Sequence, residues 1–155
     1  MGDDGAGSRV VERLSADRAV TERADAEWVG TDLLRAAGRM EGRAWVILVD
    51  AMESPGQPGP IEVVEGQLPD RGPQQAHWLS AAQALGLLRA TMPSLAHTRF
   101  TWVLVHVAAA RASAGLCAEV DAATAQAAVL IRGLVGPVWG CGQKPEISPP
   151  PTRNG

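Results

Sequence analysis

Hydrophobic and polar positions along this chain follow two different periods, and the switches between them mark out its elements. Over residues 7 to 20, Val10, Val11 and Leu14 fall near one face while Arg9, Glu12 and Arg13 spread round the other, which predicts a helix. Asp3 and Asp4 stand just ahead of it, where carboxylates satisfy open N–H groups and favour the positive end of the dipole. Glu27-Trp28-Val29 predicts a short strand, and Gly30-Thr31 turns the chain into a second helix over 32–40 with Thr31 as its cap. Residues 44–49 are apolar without interruption. That pattern predicts a strand buried on both faces, as in a parallel sheet covered by helices, with Asp50 closing it.

Proline and glycine punctuate residues 54–60 too densely for regular structure. Ile61 to Glu65 predicts a short strand at a sheet edge, and residues 68–76 a polar loop. A helix over 79–92 offers Ala81, Ala82, Leu85 and Leu88 for burial, and Pro93 ends it. Residues 101–107 form a second apolar strand. A long alanine-rich helix over 119–135 carries Val120, Ala127, Ile131 and Leu134 toward a sheet. From Gly136 the chain is rich in proline and glycine, so residues 136–155 are expected to be a disordered tail. This alternation predicts an α/β fold: one three-layer domain over residues 1–135, with a mainly parallel twisted sheet flanked by helices. Such sheets carry their sites beyond the carboxyl ends of the strands, the edge at which Asp50 is expected.

Composition narrows the possible functions. A chain of 155 residues suits one domain with a real core, and 46% apolar against 20% charged residues argues for a globular body. The net charge is -3 and no basic stripe interleaves with aromatics, so a nucleic-acid role has no support. The apolar runs fall well short of the roughly 20 residues a membrane helix needs, and the acidic start does not read as a signal peptide. Cys117 and Cys141 are far apart and form no CxxC pair, which suits one core thiol and one tail thiol in a reducing compartment. A cytoplasmic monomer without a membrane or nucleic-acid partner is expected.

Three pieces bear chemistry. Asp4 lies in the acidic-glycine turn Gly2-Asp3-Asp4-Gly5-Ala6-Gly7, Asp50 ends the apolar strand, and His77 stands in the polar loop before a helix. Two carboxylates and one imidazole can hold a divalent ion. Each also has a plainer reading: Asp4 as a helix cap, Asp50 as the cap of a turn, His77 as a loop histidine bonded to backbone. His97 falls in a polar turn, and His106, inside a strand, is expected to be a hydrogen-bonded core histidine. No GxSxG elbow is present, nothing near Cys117 would activate it, and the glycine turn lacks the Walker lysine. Anion binding at the helix start near Gly5 is a weaker option.

In order, these pieces resemble the hydrogenase maturation proteases, the endopeptidases that trim the large subunit of nickel-iron hydrogenases. The resemblance rests on Asp3-Asp4-Gly5-Ala6-Gly7 before Arg9-Val10-Val11-Glu12-Arg13-Leu14, on Gly30-Thr31, and on Val46-Ile47-Leu48-Val49-Asp50-Ala51 with Pro58-Gly59 soon after. His77 before a Leu/Ala helix and Gly115-Leu116 leading through Glu119-Val120 complete it, over roughly residues 1 to 135. The resemblance implies removal of a C-terminal extension from the hydrogenase precursor after nickel insertion. By the same resemblance, Asp4, Asp50 and His77 are the metal-contacting and catalytic residues, the nickel is presented by the substrate, and Asp3 orders the turn. Two departures accompany it. Family members begin with a strand and a Gly-Asn turn ahead of the acidic pair, so that central strand is expected to be missing here. After the 101–107 strand they carry Gly and an acid-proline stretch, where this chain has His106-Val107-Ala108-Ala109-Ala110. A chain without the first strand has an alternative reading, a non-catalytic protein that binds the hydrogenase precursor without cutting it.

Overall fold

The computed structural model describes residues 5–54, 57–68, 80–108 and 115–136. Helix α1 spans Ala6–Ser15 and buries Ala6, Val10 and Leu14. The longer helix predicted over 7–20 breaks at Ala16. The Asp17 carboxylate accepts the Ala19 N–H at 2.9 Å and starts a separate turn, α2, Arg18–Thr21. Aspartate competes with the helical backbone in this way, and it favours a cap over an interior position. The strand predicted at Glu27-Trp28-Val29 is absent. The segment has no regular structure and Trp28 is 54% exposed. An extended stretch becomes a strand only beside a hydrogen-bonding neighbour, and none lies alongside among the described residues. Asp32 rather than Thr31 caps the next element by accepting the Leu34 N–H at 3.1 Å. That element is a 3-10 turn, Leu33–Ala36, which runs into helix α3, Ala37–Met40.

Strands β1 (Trp45–Glu53), β2 (Ile61–Glu65) and β3 (Arg99–Val107) form one sheet in the order β1-β3-β2. β1 runs parallel to β3, with Trp45 opposite Arg99 and Glu53 opposite Val107. β2 runs antiparallel to β3, with Glu62 opposite Leu104. The α/β layering is as expected, and the sheet is mixed. β1 continues past the predicted end, so Asp50 lies inside the strand rather than closing it. Helix α4, Ala81–Thr91, opens with a reciprocal cap: the Ser80 hydroxyl accepts the Gln83 N–H, and the Gln83 side chain accepts the Ser80 N–H. Pro93 follows and begins a 3-10 turn, Pro93–Leu95. Helix α5 spans Ala118–Val135.

The two faces of the sheet carry separate cores. Val103, Val105 and Val107 of β3 pack with Val10, Leu14, Val120 and Ala127, and Ile47, Val49 and Ala51 of β1 join them. On the other face Phe100, Trp102 and Leu104 pack with Leu85, Leu88 and Leu95, joined by Val46, Leu48 and Met52. β1 is therefore apolar on both sides because helices cover both sides. Trp102 is fully buried, and its indole N–H reaches the Gly66 carbonyl at 3.1 Å. Gly66 sits at φ +80°, a conformation that suits glycine. The tail expected over 136–155 lies, beyond Gly136, outside the described residues.

Candidate functional site

Asp50 projects from the β1 face that carries Leu48 and Met52, and it remains solvent-exposed. Its Oδ1 accepts the N–H of Ala51 at 2.9 Å. The protein packed around it pushes the carboxyl above its ordinary value, and the bond from Ala51 opposes that shift in part. A carboxyl so placed holds a proton more readily than one in free solution.

The register places further polar groups on the same face. Leu104 lies opposite Asp50, and Glu62 lies opposite Leu104 on the far side. His106 stands opposite Met52, one pleat further along. Its Nε2 is 3.3 Å from Glu62 Oε2, and both side chains are half-buried. His106 is hydrogen-bonded, as its strand position predicts, but half-buried rather than in the core. Its partner was not foreseen. Glu62 reads as one acid in an alternating edge strand, and only the antiparallel register of β2 brings it to the histidine.

Asp4 and His77 lie outside the described residues. Among the described residues no three histidine, cysteine, aspartate or glutamate side chains are grouped closely enough to hold a metal ion. The residues that follow Asp4 are described, and they start beside β1. Gly5 and Ala6 are buried, and a side chain at Gly7 would come within 3.2 Å of the Val49 carbonyl oxygen. Gly7 thus lets the first turn of α1 lie close against β1 one residue ahead of Asp50. The adjoining face of α1 is clamped to α5. Arg13 meets both Asp121 oxygens, at 3.0 and 3.1 Å, and Arg9 reaches the same carboxylate at 3.3 Å.

No protein-family model matches the chain, and no curated protein matches it by sequence. Solved structures do match. The [NiFe] hydrogenase maturation protease HybD from Thermococcus kodakarensis superposes with a TM-score of 0.70 at 24% identity, over 87% of this chain and 91% of that one. This chain has the fold of the hydrogenase maturation proteases. A hydrogenase 2 maturation peptidase from a Thaumarchaeota archaeon gives a TM-score of 0.62 at 25% identity, covering 88% of this chain and 91% of that one. The hydrogenase maturating endopeptidase HybD from E. coli gives 0.61 at 20% identity, covering 84% and 82%. These neighbours support the family resemblance carried by the acidic-glycine turn and the Val46–Asp50 strand.

Proposed function

We propose that this chain is an endopeptidase that removes the C-terminal extension of a nickel-iron hydrogenase large-subunit precursor after nickel insertion. The observation that carries the reading is an exposed carboxylate, Asp50, set in a doubly covered apolar strand of a chain with this fold. Asp4, Asp50 and His77 are the proposed contacts for the nickel ion, which arrives as part of the substrate. Bound nickel supplies Lewis acidity at the scissile carbonyl. The chain supplies orientation and proton handling. Asp50, its carboxyl raised above the ordinary value by burial, is suited to hold or accept a proton. A site of three ligands leaves coordination positions for the ion's own protein, which makes cleavage conditional on correct loading. The proposed setting is the cytoplasm. Among the described residues no helix is long and apolar enough to cross a membrane.

The test is incubation of the purified chain with nickel-loaded and nickel-free precursor, with the released C-terminal peptide measured by mass spectrometry. Cleavage of the loaded form alone is expected. Asp50→Asn keeps the shape of the side chain and removes its charge, and it should lower the rate by about 100-fold or more, in the range of general acid–base contributions. Undiminished cleavage by that variant would overturn the assignment.

A further inference from the structure

The proposed site leaves one titratable pair without a task, His106 and Glu62. Both belong to the sheet face that carries Asp50. Alternation along β3 puts His106 on the side of Trp102 and Leu104, and alternation along β2 puts Glu62 on the side of Val64. The backbone frame under them is hydrogen-bonded on both sides of the histidine. Its N–H donates to the Pro60 carbonyl at 2.9 Å, and its carbonyl accepts the Gly59 N–H at 2.8 Å. The 3.3 Å approach of Nε2 to Glu62 Oε2 therefore joins two strands whose register is already set.

Packing alone does not account for the pair. Trp102 and Leu104 are buried against Leu85 and Leu88, and an apolar residue at position 106 would extend that core by one more pleat. An imidazole and a carboxylate there give up part of their hydration, which two apolar side chains would not have to do. The pair also fixes the chemistry of the ring. In neutral imidazole one nitrogen carries the proton and the other a lone pair. An acceptor at Nε2 puts the proton on that nitrogen and the lone pair on Nδ1. Among the described residues the ring makes no other hydrogen bond, and no buried side-chain nitrogen or oxygen lacks a partner, so Nδ1 is within reach of water.

Asp50 stands diagonally across from this nitrogen. It lies opposite Leu104, and His106 is two residues beyond Leu104 on β3. With strands about 4.8 Å apart and about 3.3 Å between residues along each, the two side chains leave the sheet roughly 8 Å apart. That gap admits a peptide group and one water. A separation of about 6.5–9.5 Å serves the same purpose between the two carboxyl groups of inverting glycosidases, which work on opposite sides of one bond.

We infer that His106 is a further catalytic residue, which carries a proton from the attacking water to the departing nitrogen, and that Glu62 is its positioning residue. The inference rests on the proposed endopeptidase reading and deepens it. Nδ1 takes a proton from the water as the water oxygen bonds to the scissile carbonyl carbon. The carbon–nitrogen bond then breaks, the nitrogen keeps the bonding pair, and Nδ1 hands it the proton. The products are a carboxyl group and a neutral amine, and the ring ends as it began. Between the two transfers the ring is a cation, which the Glu62 carboxylate stabilises through Nε2. Asp50 meets the carbonyl end of the same peptide group and His106 its nitrogen end.

The experiment measures steady-state cleavage of nickel-loaded precursor by the full chain and its variants, with thermal melting as the check on folding. His106→Gln still offers Glu62 a donor but cannot cycle a proton. It should lower kcat by about 100-fold or more, in the range of general acid–base contributions, and leave KM unchanged. His106→Ala should lose as much, and added imidazole should restore part of its rate where sodium chloride does not. Glu62→Gln still accepts the ring N–H but lacks the charge, so it should lower kcat about tenfold at unchanged KM, the difference between a charge-assisted bond and a neutral one. Cleavage by His106→Gln at the parent rate would overturn the inference and leave the endopeptidase reading standing. A loss confined to KM would do the same, as would a loss in His106→Ala that imidazole does not restore, since that assigns the histidine to packing. If the parent chain leaves loaded precursor uncut, the endopeptidase reading falls and the inference falls with it.

Discussion

Thr101 is fully buried, and its hydroxyl has partners on both sides: it accepts the Trp45 indole N–H at 2.8 Å and donates to Glu65 at 3.0 Å. Arg99 holds the same glutamate from outside and lies over the Trp45 ring, 4.6 Å from its centroid. Thr101→Val keeps the shape and removes both bonds, so it should destabilise by about 1–3 kcal/mol in urea titrations, the cost of leaving partly buried polar groups unmet. Asp121 gives a pH-dependent counterpart. The hydrogen bond from Arg13, helped by Arg9, holds its carboxyl below the ordinary carboxylate range. A carboxylate whose pKa is lowered on folding stabilises the fold above the unfolded-state value and loses that contribution as pH falls through the folded value. Asp121→Asn should therefore melt lower than the parent chain at pH 7, and the two should converge as pH falls through the lowered folded-state value of the carboxyl. A constant difference across that range would mean the clamp contributes through packing alone.

Elements were legible where local pattern and packing agree. Val46-Ile47-Leu48-Val49 and Val103-Leu104-Val105 are apolar at every position, and both strands are covered by helices on both faces. The Ala81–Thr91 helix was legible from its leucine spacing, while its start depends on Ser80 and Gln83 acting as a pair. Ser80→Ala should cost about 1 kcal/mol by thermal melting, the usual worth of such a cap. The errors came from groups that act through a neighbour. Asp17 and Asp32 each preferred a local backbone N–H to a helical role. Glu27-Trp28-Val29 has strand-forming residues without a ladder to join. At the site, Asp50 was legible as an acid on an apolar strand. The His106–Glu62 pair was not, because it depends on β2 running antiparallel to β3, and a proline-rich connection does not reveal direction.

For the molecule as a whole, the two cores meet across the sheet. Leu85 is fully buried on one side and Val120 on the other. Leu85→Ala should cost about 2–5 kcal/mol, as large-to-small changes in a packed core do, and the loss should show equally at reporters on either face. The reason lies in β3, the middle strand, which gives Val103 and Val105 to one side and Trp102 and Leu104 to the other. A single ribbon thus serves as the keel of both halves, and neither half can come away while the other keeps its shape. Probes attached to α1 and to α4 should register one shared melting curve, and the amides along the keel should be the last to take up deuterium.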